Sequence, residues 1–391
     1  MKIAIIDPVG SKAGIDHYDL SLLSGLKNSG NTCFLYSNFN YEEREVVYKK
    51  YFNNVDVSKI SAIANNFIGF FKSLSDAKKQ NIDWLILHVF RAGAFDLFTF
   101  TLAKLMGFKL LAIVHDIESL DTFTLPFVRR TVISTLPDLR VVHNQFCKEE
   151  IAKQISIKAL DNTAIIPHVN FIKLFRQYHT NDPLRNHIID DKKAIEQLDH
   201  RLIKALNENN KIILFFGQIK KAKGVDILLE SLKYCNTNFK LVIAGKLRNE
   251  NWGKYQAIID DNNLSDKVIP IIRHISDYER DILFAISEGI VLPYRWIYQS
   301  GVLLMTMSFP VVVIASDLSP NRDIINDGKN GFLFERENAN DLAKKIDALV
   351  SGEYNIQQIK IQAISDIEIK NSLDVIGKQY HQLLLKYSSL F

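Results

Sequence analysis

The stretch FFGQIKKAKGVDILLESL, residues 215–232, is the part of the sequence that decides the fold. An apolar run that begins at Ile212 stops at Gly217, and a loop with three lysines follows. From Gly224 onward the apolar residues recur with the spacing of a helix face. Buried strands that alternate with helices are typical of a parallel sheet with helices on both faces. The stretch therefore predicts an α/β unit in which a strand end, a basic loop and a helix N-terminus meet.

The same alternation of apolar runs and amphipathic segments recurs along the chain. It is interrupted by polar, charged sequence from about residue 171 to 208. We predict two Rossmann-like, doubly wound α/β domains, at 1–195 and 196–370, and a C-terminal amphipathic helix, at 371–391, that packs back on the N-terminal domain. The runs interpreted as strands lie at residues 2–7, 31–38, 83–90, 108–116, 139–144, 163–169, 211–217, 239–245, 267–272, 289–294 and 311–317.

Composition limits the function classes. The 391 residues are 47% hydrophobic and carry a net charge of +4, which is mild for a nucleic-acid binder, so no nucleic-acid partner is expected. No apolar run approaches the ~18 residues of a membrane-spanning helix. Cys33, Cys147 and Cys235 are widely spaced and predict neither a disulfide framework nor a zinc site. We expect a cytoplasmic protein.

The lysine-rich loop is a candidate phosphate site. In open α/β sheets, ligands bind beyond the carboxyl ends of the strands. Lys223 directly precedes Gly224, where the exposed N–H groups of a helix N-terminus attract an anion. For Lys220 and Lys221 a solvated basic loop is the favoured interpretation. A P-loop is excluded because GxxxxGK[ST] is absent, and a dinucleotide is not expected because the first strand lacks G-x-G-x-x-G.

Three further positions are candidates, each with a structural alternative. Gly14 begins the first helix and permits close approach of a ligand, or serves only a turn. His115 and Asp116 follow a buried strand and suit acid–base chemistry or hydroxyl binding, or are a satisfied histidine and a helix cap. Both should point into the space between the domains. His143 and His168 also follow strands, but a structural role is favoured for them.

The tract LPYRWIYQSGVLLMTMS, residues 292–308, is the second informative stretch. Ser300 and Gly301 stand at a helix start and can bind a phosphate through backbone amides. Arg295 can add charge to that site, and Tyr294 can stack on a base. The alternative is an ordinary loop that enters a core helix.

Taken in order, these motifs resemble the group-1 (family-4-type) bacterial nucleotide-sugar glycosyltransferases of the GT-B fold. The match rests on the opening stretch, then KLVIAG at 240–245, VVVIASD at 311–317 and NDGKNGFLF at 326–334. It covers most of the C-terminal half. In the N-terminal half it rests on Gly14 and on short VHD and IPH sequences.

This resemblance implies two Rossmann-like domains that face each other across a cleft. The C-terminal domain would hold a nucleoside-diphosphate sugar and the N-terminal domain the acceptor. Gly217 would let the diphosphate approach, and Lys223 would hold its charge. No bound metal and no cofactor are expected, since positive side chains and helix termini stabilise the leaving diphosphate.

The sequence departs from the family pattern in ways that define a divergent subgroup. The arginine that usually follows the glycine is Gln218, and the paired glutamates are replaced by Ile297 and Met305. Gln299, with the Ser-Gly pair, is a candidate substitute. Retention or inversion at the anomeric carbon stays open. Asp323 is either a sugar-contacting acid or a surface acid.

The leading hypothesis is a hexosyltransferase-type enzyme that transfers a sugar to a glycan or lipid-linked acceptor in surface polysaccharide synthesis. The alternative, motivated by the missing acids, is a catalytically silent binding or scaffolding partner of another glycosyltransferase. An epimerase would need an acid and a base on one sugar nucleotide, and no such pair is evident. The segment at 122–137 suits a peripheral contact with the inner face of a membrane, although packing against its own domain is favoured.

Overall fold

The computed structural model describes residues 1–10, 14–41, 46–53, 58–90, 92–117, 125–175 and 198–388. The chain forms two compact units, of which the first comprises Met1–Phe171 with Ile369–Phe391 and the second Ile172–Glu368. The domain boundary expected between residues 195 and 196 lies outside the described residues, as does the start of the 122–137 segment.

The strands coincide closely with the apolar runs of the sequence. Each of the eleven predicted runs contains an observed strand. The remaining two strands, β3 and β13, lie outside these runs. The edge strand β3 was not predicted because its side chains are half-exposed and include two lysines. The strands are β1 Lys2–Ile6, β2 Thr32–Ser37, β3 Val47–Lys50, β4 Trp84–Val89, β5 Lys109–Val114, β6 Leu139–Val142, β7 Thr163–Ile165, β8 Ile212–Phe216, β9 Lys240–Ala244, β10 Val268–Ile271, β11 Gly289–Leu292, β12 Val312–Ser316 and β13 Phe332–Phe334.

Helices connect most successive strands, as a parallel sheet requires. None in the described part of the chain has both the length and the hydrophobicity of a bilayer-crossing segment. The helices are α1 Ile15–Asn28, α2 Lys59–Lys79, α3 Ala94–Leu105, α4 Pro126–Arg130, α5 Gln145–Ala152, α6 Ile157–Asp161, α7 Ile172–Phe175, α8 His200–Asn207, α9 Val225–Ser231, α10 Gly253–Asp261, α11 Asp277–Ile286, α12 Gly301–Met307, α13 Ser319–Arg322, α14 Ala339–Ser351, α15 Ile356–Asn371 and α16 Leu373–Ser388.

The two sheets share one topology. In the first unit the strand order is β3-β2-β1-β4-β5-β6-β7, and in the second it is β10-β9-β8-β11-β12-β13. Neighbouring strands pair in parallel throughout both sheets. This confirms the expected α/β class with two doubly wound units, because the strand order is that of a Rossmann-type sheet.

The C-terminal helix α16 belongs to the first unit and packs on α1. The contact is a close backbone approach, since a Cβ built on Gly377 would lie 2.1 Å from the carbonyl carbon of Gly25. Nearby, the hydroxyls of Tyr18 and Tyr380 are 3.2 Å apart and both rings are buried. The last segment of the chain thus completes the core beside β1.

The topology also indicates where ligands should bind. The connections that leave β1 and β4 diverge to opposite sides, and so do those that leave β8 and β11. Such switch points leave a crevice at the carboxyl ends of the two neighbouring strands. Each unit therefore has one crevice, and the candidate residues can be tested against it.

Candidate functional site

In the second unit, Gly217 is the first residue after β8 at the switch point. Its φ of +127° strongly favours glycine. Its N–H donates to the carbonyl of Ala244 at 3.0 Å, and a Cβ built on it would lie 3.6 Å from Cγ2 of Val302. Gly217 thus brings the end of β8 beside the first turn of α12, where the sequence predicted a diphosphate.

Lys223 and Gly224 interlock with the loop that follows β11. Gly224 has φ of +65°, and a Cβ on it would lie only 1.9 Å from the carbonyl oxygen of Pro293. The next residue, Tyr294, is 1% exposed, and the ammonium nitrogen of Lys223 lies 3.6 Å from its ring centroid. Because the ring is buried, the expected stacking of Tyr294 on a base is wrong. The observed contact of the ring is with Lys223.

Arg295 holds two loops together and does not add a phosphate-binding charge. Its guanidinium donates two hydrogen bonds to the carboxylate of Asp226, at 2.8 and 2.7 Å, and one to Glu337 at 3.0 Å. It also donates to the carbonyl of Lys221. Burial raises the pKa of Asp226, but hydrogen bonds and charge from Arg295 outweigh it and hold that pKa below its usual value. Two carboxylates neutralise Arg295, so the expectation that it adds positive charge to the phosphate site is wrong.

The residues at the start of α12 have mixed roles. The Ser300 hydroxyl accepts a hydrogen bond from the N–H of Leu303 at 3.1 Å and caps the helix. Gly301 faces open space where a side chain would stand, and Gln299 is half-buried. Position 305, where the family pattern has its second glutamate, is a buried methionine. No polar group therefore replaces that glutamate at this position.

Gln218 has a neighbour that sequence reasoning missed. Its Oε1 accepts a hydrogen bond from NH1 of Arg248 at 3.2 Å. Arg248 follows β9, the strand next to β8 in the sheet. Position 218, where the family pattern has an arginine, is therefore occupied by a glutamine that contacts Arg248.

In the first unit, a cavity of about 190 Å³ lies at the switch point between β1 and β4. It is smaller than the 300 to 1,000 Å³ typical of drug-sized ligand sites, so its size suits a single ring or a small polar group. The wall combines aromatic rings with polar groups. It is formed by Ile6, Asp7, Pro8, Val9, Asn66, Phe70, Leu87, His88, Phe90, Phe95, Asp96, Thr99 and Phe100.

A buried polar chain runs from this cavity to His115. Nε2 of His88 lies 2.7 Å from Oδ1 of Asp19, and Nδ1 of His88 lies 2.8 Å from Nε2 of His115. Asp7 accepts hydrogen bonds from the N–H groups of Val9 and Gly10, at 2.8 and 2.6 Å. The direction of these bonds depends on Asp19. When Asp19 is ionised and the imidazoles are neutral, His88 donates to it and His115 donates to His88, which leaves Nδ1 of His115 as the acceptor nitrogen. When Asp19 is protonated, it donates to His88 and both bonds reverse.

Burial sets the charge state of this chain. It raises the pKa of Asp7 to about 7, with a further contribution from Asp19, and raises that of Asp19 well above its usual value. It lowers the pKa of His88 to about 4 and that of His115 well below its usual range. The imidazoles are therefore neutral at pH 7, as a proton acceptor must be.

Other predicted residues of the first unit are placed as follows. Gly14 caps α1 with φ of +70°, and the space a side chain would occupy is open. Asp116 is half-buried beside His115. His143 and His168 are buried, and both rings meet Tyr18 edge-on.

Sequence reasoning missed several functional candidates, chiefly Asp7, Asp19, His88 and Arg248. Asp7 follows β1 directly, so the rule that sites lie at strand ends could have found it. Within the described ranges, no group of three or more His, Cys, Asp or Glu side chains could hold a metal ion.

A family model matches most of the second unit's sequence. Residues 196–366 match the family model of glycosyl transferases, group 1. This segment contains Gly217, Lys223 and the whole 292–308 tract. The resemblance read from the motifs is thereby confirmed over this part of the chain.

The curated relatives that match include the following two glycosyltransferases. An uncharacterized glycosyltransferase of Methanocaldococcus jannaschii is 33% identical over 168 residues, which are 40% of this chain and 46% of the relative. The capsular polysaccharide biosynthesis glycosyltransferase CapM of Staphylococcus aureus is 25% identical over 201 residues, 49% of this chain and 50% of the relative. The chain thus spans about half the length of the curated relatives it matches.

Among solved structures, Anabaena HepE in complex with UDP and glucose superposes with a TM-score of 0.73 at 17% identity. The match covers 99% of this chain and 100% of that one. At this identity the likeness shows the fold, which is the GT-B fold.

Proposed function

We propose that this chain, whose residues 196–366 match the group-1 glycosyl transferases, moves a hexose from a nucleoside-diphosphate sugar to an acceptor hydroxyl. The observation that carries the proposal is the arrangement at the switch point of the second sheet. There a glycine with positive φ, a lysine and a glycine-started helix converge within the segment that matches the family. A positive charge and backbone N–H groups at a strand end suit a diphosphate.

The donor would bind in the second unit. Gly217 leaves room for the diphosphate near the backbone, and Lys223 supplies a positive charge from its place on the Tyr294 ring. In the transfer, the bond from the anomeric carbon to the diphosphate oxygen breaks and a bond to the acceptor oxygen forms. Negative charge grows on the leaving diphosphate, and a fixed cation stabilises it most in that state. We expect the reaction to proceed without a metal, which a chelator would test.

The acceptor would bind in the first unit. His115 is neutral at pH 7, is oriented through His88 and Asp19, and could take the proton of the attacking hydroxyl. The adjoining aromatic cavity, with Asp7 in its wall, suits one ring that has an apolar face and polar hydroxyls. Asp116, Gly14, Gln299, Ser300 and Gly301 remain candidate binding residues.

Surface polysaccharide synthesis is the setting that we propose. The match to CapM supports it, as that relative is named for capsular polysaccharide biosynthesis. The acceptor would be a growing glycan or its lipid-linked form. The three cysteines are free, which suits a protein of the cytoplasm.

Exposed apolar side chains of the first unit support a peripheral membrane contact. Within the 122–137 segment, Leu125 and Phe127 are 51% and 62% exposed, while Val128 anchors α4 in the core. On α2, exposed apolar residues recur at helical spacing and form a second surface, which comprises Ile60, Ile63, Phe67, Ile68 and Phe71. Such surfaces lie in the interfacial region of a bilayer. We expect sedimentation of the protein with anionic vesicles, reduced by Phe71→Ser together with Phe127→Ser.

The alternative of a catalytically silent partner is favoured by one observation. Met305 is buried and Gln218 is neutral, so two positions that carry charge in the family carry none here. Such a protein would bind a nucleotide sugar but not transfer it.

Proton NMR with UDP-, GDP-, ADP- and dTDP-sugars tests the proposal. We expect the proton signals of one sugar to broaden on binding. Its anomeric signal should decay slowly as the donor is hydrolysed, and should decay faster when acceptors are added. Binding without decay in the presence of candidate glycans and lipid-linked sugars would favour the silent partner. If no sugar bound, the proposal would be rejected.

A further inference from the structure

The cavity of the first unit combines aromatic rings with acidic groups. Four phenylalanines, from α2, α3 and the end of β4, contribute to its wall, and they are Phe70, Phe90, Phe95 and Phe100. Two carboxyls, of Asp7 and Asp96, belong to the same wall. Asp96 caps α3 by accepting a hydrogen bond from the N–H of Gly93 at 2.7 Å, whereas Asp7 stands at the end of β1, at the switch point itself. The chemistry of the cavity therefore depends on what Asp7 can bind.

The carboxyl of Asp7 is held in one orientation by its own loop. Its two oxygens accept hydrogen bonds from the N–H groups of Val9 and Gly10, at 2.8 and 2.6 Å. The loop is tied to the end of β2, because the Ser37 hydroxyl donates to the carbonyl of Asp7 at 2.8 Å and the Asn38 amide donates to that of Val9 at 2.9 Å. An ionised carboxylate has about four acceptor sites, so these two backbone donors leave room for a ligand on a group that is already oriented.

The surroundings of Asp7 lack a positive charge. Within the part of the chain that the structure describes, no lysine or arginine lines this cavity. Burial and the nearby carboxyl of Asp19 raise the pKa of Asp7 to about 7, and burial lowers the pKa of His88 to about 4, so that imidazole is neutral at pH 7. A buried carboxylate is costly without a counter-charge, and a cation within about 4–6 Å favours its ionised form. A cationic group on a ligand would supply the charge that the described wall lacks.

The four aromatic rings narrow the kind of cation that fits. An ammonium group is attracted to the faces of such rings and donates hydrogen bonds to a carboxylate. A metal ion is not favoured, since the described residues include no cluster of three His, Cys, Asp or Glu side chains that could hold one. The rings are fixed by their neighbours, because Phe95 meets Phe70 edge-on with centroids 6.4 Å apart and Phe90 stacks on His115 at 4.6 Å. Their surfaces suit the C–H face of a saturated ring that carries the ammonium group.

We propose that this cavity binds an amino sugar through its free ammonium group, with Asp7 as the carboxylate partner and the phenylalanine rings against the sugar ring. The inference rests on the proposed function, because it specifies the acceptor that would occupy the first unit. The acceptor sugar would carry a free amine and not an acetamido group, which has no charge for Asp7 and needs more space than a cavity of about 190 Å³ offers beside a ring. Asp7 would select the acceptor and would take no part in the transfer of the sugar.

Two pairs of probes test this assignment. Glucosamine with glucose, and cyclohexylammonium with cyclohexanol, each differ only by an ammonium group in place of a hydroxyl on the same ring. Proton NMR titrations would be run on the full-length wild type, on Asp7→Asn and on Asp161→Asn, a control at an exposed carboxyl of the same unit. One charge-assisted hydrogen bond corresponds to about 10- to 100-fold in affinity. We expect each ammonium to bind the wild type and Asp161→Asn at least about 10-fold more tightly than its alcohol, and to lose this preference in Asp7→Asn. Melting temperatures within a few degrees of wild type would verify folding.

The outcomes separate this inference from the function on which it rests. The inference is overturned if neither ammonium binds the wild type better than its alcohol, or if the preference persists in Asp7→Asn. Binding of UDP-, GDP-, ADP- and dTDP-sugars to the same samples reports on the second unit alone. If a nucleotide sugar binds and the ammonium preference is absent, the proposed function stands and the amino-sugar assignment fails. If the preference is present and depends on Asp7 but no nucleotide sugar binds, the ammonium site stands and the proposed function fails.

Discussion

The ammonium group of Lys223 lies over the face of the buried Tyr294 ring, 3.6 Å from its centroid. The lysine precedes α9 and the tyrosine follows β11, so one contact links the two sides of the switch point in the second sheet. An aromatic face attracts a cation and restricts its side chain without neutralising its charge. The contact therefore restricts the position of the Lys223 side chain.

Loss of the aromatic ring should weaken donor binding. In Tyr294→Leu, Lys223 loses its platform, and we expect about 3- to 10-fold weaker binding of the cognate nucleotide sugar, from the size of a cation–π contact. Tyr294→Phe keeps the ring and should bind like the wild type. Titration calorimetry of both variants gives the comparison, and equal losses in both would show that the hydroxyl and not the ring matters.

Gly224 should be among the least replaceable glycines of the second unit. In Gly224→Ala the new Cβ would lie 1.9 Å from the carbonyl oxygen of Pro293, at φ of +65°. We expect a loss of about 3 kcal/mol in the free energy of unfolding, from backbone strain and overpacking together. Gly352→Ala is a matched control, since Gly352 has φ of +80° with open space around it, and should cost about 1 kcal/mol. Urea denaturation of both variants measures the difference.

The agreement between sequence and structure at these strand ends has a physical cause. A strand buried on both faces appears in the sequence as an apolar run. The polar residue or glycine that ends the run marks the carboxyl end of the strand. Gly217 and His115 were found in this way. Their positions in the site follow from parallel strand pairing, which places all carboxyl ends at one edge of a sheet.

The partners of these residues could not be predicted, because they are distant in sequence. Asp226 and Arg295 are 69 residues apart, and no local pattern links them. His88 lies inside the run WLILHV, where the sequence indicates only a buried strand. Tyr294 was interpreted as an accessible ring, since nothing in one sequence shows that the loops after β8 and β11 close over it.

Replacement of His115 should separate transfer from donor binding. In His115→Ala we expect kcat/KM for transfer to fall about 100-fold or more, because the proton acceptor is lost. The donor site is in the second unit and should bind within about twofold of wild type. His143→Ala is the control for burial, as His143 also contacts Tyr18 but lies outside the chain from Asp19 to His115. Equal losses of activity in the two variants would contradict a catalytic role for His115.

The buried histidines of the first unit should make it sensitive to acid. Burial lowers the pKa of His88 and His168 to about 4 and that of His143 to about 3, and it lowers the pKa of His115 well below its usual range. Their unfolded forms take up protons below about pH 6.5, so their contribution to stability is present above that pH and is lost as the pH falls toward 4.

Two buried acids of the same unit act in the opposite direction. The pKa of Asp7 is raised to about 7 and that of Asp19 is raised too, so their contribution is lost as the pH rises from about 4 toward 7. Four histidines outweigh two carboxyls between about pH 4.5 and 6. We therefore expect the melting temperature to fall as the pH is lowered from 6.5 to 5.

A variant measures this pH effect. His168→Phe should reduce the slope of stability against pH by about one proton, which is about 1.4 kcal/mol per pH unit. His200→Gln, at a side chain that is 90% exposed, is the control for the loss of a surface histidine. A slope that is the same in wild type and His168→Phe would show that His168 is protonated in the folded state.

The most direct test of the account is whether the switch point of the second unit binds a nucleoside-diphosphate sugar through Lys223. Proton NMR of the full chain with UDP-, GDP-, ADP- and dTDP-sugars would be run beside Lys223→Met, with Lys220→Met as the control for a loop lysine. We expect one sugar to bind the wild type and Lys220→Met alike, and to bind Lys223→Met at least about 10-fold more weakly. Equal binding to wild type and Lys223→Met, or no binding to the wild type, would contradict it.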